Sequence, residues 1–186
     1  MPGLHPEYPL RTERLTLRPF RPADLDYVAD VYGRPEVVRY LYDEVHTRSQ
    51  AEEKLRQRIE KVAIEQEGDA IVLAAEAGGA VVGDVTLIYR SEAHGQGEVG
   101  WAIHPDHQGN GYATEASRAM LGLAFDGLGL HRVVARCDGR NTASVAVMER
   151  LGMRKEAHFV ENEFVKGEWA DEIVYAMLAE EWRAKR

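Results

Sequence analysis

The segment HPDHQGNGYATEA, residues 104–116, sets two glycines, an amide and an aromatic ring at the start of a predicted helix. Helices more often open on Ser, Thr, Asp or Asn followed by good helix formers. Here strand-like EVGWAI (98–103) leads in and ATEASRAML (113–121) leads out. A helix N-terminus offers four unpaired N–H groups and about half a positive charge, which suits a phosphate. Gly109 and Gly111 let the backbone approach a diphosphate with no Cβ in the way, and Gln108, Asn110 and Thr114 add side-chain donors. Taken by itself, QGNGYA (108–113) is explained equally well by a tight glycine turn with no ligand.

A second glycine pattern competes with it. GQGEVG (95–100) meets the dinucleotide pattern G-x-G-x-x-G letter for letter. That fingerprint requires a helix to begin inside it, and these glycines instead lead into the strand EVGWAI. The context excludes a Rossmann site, and no phosphate-loop lysine supports a nucleotide-dependent enzyme.

Working outward, RLTLRPF (14–20) alternates as a strand, and RPADLDYVADVYG (21–33) reads as a helix. A stronger helix is expected from Ser49 to about Gln66, with Ser49 and Glu52 as its capping box and Leu55, Ile59 and Val62 on one face. AIVLAAEA and VVGDVTLIYR flank Gly78-Gly79 as a hairpin, and GEVGWAIHP (97–105) is a third strand after the loop SEAHGQ. A helix over Gly111 to Phe125 is expected to bury Ala113, Ala116, Met120, Leu123 and Ala124. Then come a strand (131–139), a helix (141–152) and two strand-like segments, 155–169 and 171–178, joined near Ala170 and Asp171. Helices early, hairpins in the middle and alternation at the end give an α+β domain over 1–186, with its core at about 11–178.

Composition narrows the function. The 186 residues carry 23 Lys+Arg against 31 Asp+Glu, a net charge of −8. That argues against nucleic acid and favours a cationic or amine partner. One cysteine, Cys137, excludes a disulfide framework or thiolate cluster within the chain, and Val133-Ala135-Cys137 places it in the core. His94, His104 and His107 lack the partners and spacing of a metal site. Trp169 and Trp182 read as packing residues near the C-terminal hairpin. No apolar run reaches the ~20 residues of a membrane span, and MPGLHPEYPL has no signal core, so a cytoplasmic setting is expected.

With these residues in view the chain resembles the GCN5-related N-acetyltransferase (GNAT) superfamily. Within it, the likeness is to the ribosomal-protein-alanine acetyltransferase (RimJ/RimL-like) group. The pattern Gln/Arg-x-x-Gly-x-Gly/Ala is met by Gln108, Gly111 and Ala113; RLTLRPFRPAD, EVGWAIHPDHQGNGYATEA and NTASVAVMERLGM resemble the group's opening, cofactor segment and following helix. The resemblance implies a mixed, mostly antiparallel sheet of about six to seven strands flanked by about four helices.

It further implies acetyl-CoA as cosubstrate, with no metal. The diphosphate would lie on the N–H groups of Gln108, Gly109, Asn110, Gly111, Tyr112, Ala113 and Thr114, and the pantetheine between the strand ending Trp101-Ala102-Ile103 and the one starting near His131. Asn141 would also touch the pantetheine. A primary amine, from a protein N-terminus or a small molecule, would attack the thioester directly. Such chemistry needs a base, an oxyanion donor and a group that receives the thiolate. Glu98 is expected as the base through a water, a backbone N–H of 98–103 as the oxyanion donor, and Ser144 as a hydrogen-bond donor to sulfur. Many superfamily members carry a Tyr where this chain has Met148, and that substitution keeps a second reading open, a non-catalytic acyl-CoA-binding or sensor module. A monomer or homodimer is expected.

Overall fold

In the computed structural model, which describes residues 3–185, the alternating segments assemble into one eight-stranded sheet. In chain order the elements are β1 (Leu10–Arg11), β2 (Thr16–Pro19), α1 (Leu25–Tyr32), α2 (Pro35–Val38), α3 (Arg48–Ile59), β3 (Ala70–Ala77) and β4 (Ala80–Ser91). There follow β5 (Gln96–Ile103), α4 (Tyr112–Gly122), β6 (Arg132–Asp138), α5 (Thr142–Leu151), β7 (Arg154–Val165), β8 (Glu168–Leu178) and α6 (Ala179–Arg183). The strand order is β1-β2-β3-β4-β5-β6-β8-β7, so the sheet exceeds the expected six to seven strands. Every pair is antiparallel except β5 with β6, whose parallel sense requires the crossover that α4 supplies.

Both faces of the middle strands are covered. On one face Leu17, Leu73, Leu87, Val99 and Val133 pack against Met120 and Leu121 of α4 and Met148 and Leu151 of α5. On the other, Val72, Ala74 and Ala102 pack against Val28 and Val31 of α1 and Ala51 and Leu55 of α3. This two-sided burial explains why β3 reads as a nearly continuous apolar run. The second face also holds a polar knot. Arg58 of α3 ion-pairs with Asp84 of β4 at 2.9 Å, and the hydroxyls of Tyr32 and Tyr27 donate to the same carboxylate at 3.1 and 3.3 Å. Breaking one member of such a buried pair costs about 3–5 kcal/mol.

Several boundaries differ from the sequence reading. Thr47, not Ser49, caps α3: its Oγ1 accepts from Gln50 N–H and Gln50 Oε1 accepts from Thr47 N–H, so the capping box sits two residues earlier. α3 stops at Ile59; past it Lys61 O accepts from Val72 N–H of β3, and Ile64 exchanges two backbone hydrogen bonds with Leu4. Val62 therefore lies outside the helix, and Arg58 joins Ala51 and Leu55 on its buried face. The last hairpin turns at Lys166-Gly167, both at positive φ, rather than near Ala170 and Asp171, which lie within β8. α4 ends at Gly122 and continues as a π turn over Leu123–Gly127; Leu121 is fully buried, whereas Ala113 and Leu123 are half-buried. Trp182 packs on Phe125, but Trp169 is 59% exposed, held edge-on to Phe164 at the hairpin tip.

Candidate active site

The site begins where the sheet parts. β5 and β6 pair over only Gln96↔Arg132, Gly97↔Val133 and Glu98↔Val134. Beyond these, Val99–Ile103 of β5 and Ala135–Asp138 of β6 have no strand opposite on the facing edge. A cleft of about 1440 Å³ opens there, lined by Trp101, Ala102 and Ile103 on one side and Asn141 and Ser144 on the other. It continues past residues 107–115 into the groove between α4 and α5.

The glycine loop forms the cleft's rim. Gly109 and Gly111 both adopt φ +79°, the left-handed region that side chains disfavour. A Cβ at Gly109 would meet nothing within 4 Å, so the glycine there answers the backbone angle and not a shortage of space. From Gly109 to Thr114 no N–H has a backbone partner among the described residues, and Thr114 Oγ1 is buried with none. These orphaned donors at a helix N-terminus make a cradle of the right chemistry for a diphosphate.

Gln108 is committed elsewhere. Its N–H bonds Pro105 O at 3.2 Å and its side-chain amide bonds Ile103 O at 3.2 Å, so it ties the loop to the end of β5 and its backbone N–H is not free. Asn110 likewise turns its amide back to His107 O at 3.0 Å. His104 accepts from Asp106 N–H at Nδ1, which leaves Nε2 to donate to Asp30 of α1 at 2.8 Å. The hydrogen bonds from Arg34, and secondly His104, hold the Asp30 carboxyl down at about 2. The histidines are thus loop braces, and among the described residues no His/Cys/Asp/Glu group is arranged to hold a metal.

At the parting, Asn141 caps α5 by accepting from Ser144 N–H at 3.0 Å. Ser144 lines the cleft, and among the described residues its hydroxyl has no protein partner. Met148 is fully buried in the core. Cys137 is half-buried, and burial pushes its thiol up to about 11, so it is poor as a nucleophile.

Glu98 does not line the cleft with the others. It is the last β5 residue paired to β6 and points to the opposite face, where Arg90 (2.9 Å) and Arg136 (3.3 Å) hold its carboxylate. Arg136 also reaches buried Glu172 at 3.1 Å, which accepts from Asn162 as well. The C-terminal hairpin closes over this face. Lys166 Nζ binds the carbonyl oxygens of Val38 and Leu41, and Tyr42 donates to Glu163.

Four cleft residues were not singled out by the sequence reading. Arg14 donates to Asn110 O at 2.8 Å and pairs with Glu115 at 2.7 Å, placing a guanidinium beside Gly111. Tyr40 follows α2 and meets the cleft only through tertiary packing, as do Arg118 and Arg150 of α4 and α5. The one available hint was the i, i+3, i+4 spacing of Glu115, Arg118 and Ala119 on the face next to the loop.

Comparison with known proteins gives the same direction. Residues 14–154 match the family model described as acetyltransferase (GNAT) domain. The chain is 32% identical over 173 residues to the N-acetyltransferase YnaD of Bacillus subtilis (strain 168), covering 93% of this chain and 98% of that protein. It is 25% identical to the spermidine N(1)-acetyltransferase of Escherichia coli (strain K12), over 91% of this chain and 88% of that one. The crystal structure of a GNAT-family acetyltransferase from Bacillus anthracis superposes with a TM-score of 0.82 at 29% identity, over 92% of this chain and 98% of that chain.

Proposed function

The chain belongs to the GNAT acetyltransferase family and is an N-acetyltransferase, and on that premise we propose that it moves acetyl from acetyl-CoA to a small cationic amine. The observation that carries the reading is one continuous cleft joining an uncommitted helix N-terminus to two parted strand edges. A phosphorylated head and an amide-bearing arm need those two features in that order.

In this reading Gly109–Thr114 bind the diphosphate, and Thr114 Oγ1 gains the partner that it lacks. The free edge at Ala102 and Ile103, with Asn141, hydrogen-bonds the pantetheine amides. Acetyl-CoA supplies an activated acyl group. The amine nitrogen forms a bond to the acyl carbon, the C–S bond breaks, and the sulfur takes the electron pair beside the Ser144 hydroxyl. A β5 backbone N–H past Glu98 steadies the carbonyl oxygen. Glu98, on the far side of the parting, accepts the ammonium proton through a water. The Arg90 and Arg136 guanidiniums, at 2.9 and 3.3 Å, fix the carboxylate in position for that role.

The acceptor class rests on charge and kinship. Glu98, Glu172 and Glu163 gather on the acceptor face, the chain carries −8, and a full-length relative is named for acting on spermidine. The test is thiol release from acetyl-CoA with spermidine, free amino acids and peptides bearing N-terminal Ala or Ser. Saturable turnover of the polyamine above the peptides is expected. Turnover confined to peptide N-termini would overturn the acceptor assignment.

A further inference from the structure

The cleft does not stop at the glycine loop. It runs on between α4 and α5, where Ala119, Gly122, Ala143 and Ala146 line it and their small side chains leave a groove unfilled. At the far end stand three cations. Arg118 crosses from α4 to the carbonyl of Arg150 at 3.5 Å, Arg150 stands in the last turn of α5, and Lys185 Nζ donates to Gly152 O. Glu115, Arg118, Ala119 and Gly122 share one face of α4, and Ala143, Ala146, Val147 and Arg150 one face of α5, so both walls meet this end.

Elsewhere in this acidic chain cations commonly have carboxylate partners: Arg14 has Glu115, Arg34 has Asp30, Arg58 has Asp84 and Arg140 has Asp138. Among the described residues, none of Arg118, Arg150 and Lys185 pairs with a carboxylate. Their hydrogen bonds at this end go to the carbonyls of Arg150 and Gly152 at the C-terminal end of α5. Three unneutralised cations at the end of a groove, on a chain of charge −8, call for an anion with more than one charge. Arg118 lies about 10 Å along α4 from Gly111 by helical rise, so that anion is separate from the one in the glycine cradle.

We propose that this basic end receives the 3′-phosphate on the ribose of CoA, so that the protein selects CoA over 3′-dephospho-CoA. The inference rests on the reading that CoA occupies the cleft, and adds to it a phosphomonoester subsite formed by Arg118, Arg150 and Lys185.

The test is calorimetric titration with CoA and with 3′-dephospho-CoA, on the native chain and on the variants R118A, R150A and K185A. Native protein is expected to bind CoA at least about tenfold more tightly than dephospho-CoA, the scale of one charge-assisted hydrogen bond. Each variant is expected to lower CoA affinity while leaving dephospho-CoA affinity unaltered, which also shows that the variant is folded. Equal affinity of the native chain for both ligands, or equal losses on both in the variants, would overturn the proposal with the cofactor reading intact. Binding of neither ligand would overturn the cofactor reading, and this subsite with it.

Discussion

Gly111 gives the sharpest test of the cradle, because backbone cost and ligand cost separate there. It is the N-cap of α4 at φ +79°, ψ 5°, and a Cβ would find only the guanidinium end of Arg14, Nη2 at 3.3 Å. Alanine at such a left-handed position costs roughly 1–2 kcal/mol, offset by about 0.4–1 kcal/mol from a stiffer unfolded chain. Gly111→Ala should therefore lose about 1 kcal/mol of stability, and Gly109→Ala, at the same φ with open space around it, should lose a similar amount. Gly111→Val adds a branched Cβ and should force the loop out of its angle, turning N–H groups 111 and 112 from their common aim. Hydrogen bonds to charged groups are worth about 1.5–3 kcal/mol each, so losing one weakens CoA binding roughly ten- to hundredfold. Urea denaturation reads the first effect and calorimetric titration the second. Gly111→Val that folds and binds CoA with native affinity would refute the claim that these N–H groups hold the diphosphate.

Other outcomes follow from the same geometry. Glu98→Gln should lower turnover by about a hundredfold or more, as loss of proton transfer does, while CoA affinity stays near native; an unchanged pH–rate profile would remove Glu98 from the chemistry. Cys137, with its thiol raised to about 11, should react with a disulfide reagent at pH 8 roughly two hundredfold more slowly than a free cysteine, and a rate within tenfold would contradict its burial. Asp30 should shape acid stability. Its carboxyl, about 2 when folded against an ordinary ~3.9, stabilises the fold above pH ~4 and loses that contribution as pH falls toward 2. Denaturation of Asp30→Asn across that window should show a shallower fall in stability, converging with the native curve at its acid end.

The sequence was legible where local chemistry decides structure. The Gly78-Gly79 hairpin, the β5–loop–α4 junction and the Gly152 stop of α5 each carry their own geometric signal, and each stands where expected. Errors fell where a local signal had a near rival. Ser49-Glu52 and Thr47-Gln50 both satisfy a capping box, and only the partners of the preceding chain choose between them. Lys166-Gly167 looked like strand because Lys rarely announces a positive φ. At the site, the glycine loop could be read because the role proposed for it rests on backbone groups. Arg14, Tyr40 and the basic end of the groove were illegible because they converge from distant segments. Glu98 was visible as a residue, but its two arginine partners come from β4 and β6, which no pattern within β5 reveals.

The short β5–β6 register also bears on how the molecule opens. Three residue pairs form the seam between a five-stranded plate, β1 to β5, and a three-stranded plate of β6, β8 and β7. So brief a seam leaves much of the joining to the core beneath α4 and α5, and amides along the parted edges should exchange hydrogen faster than those at the paired register. A ligand lying across the parted edges would act as a strand of non-protein material, stitching the plates together. Protection gained at Val99–Ile103 and Ala135–Asp138 together would then register the joining of two plates into one.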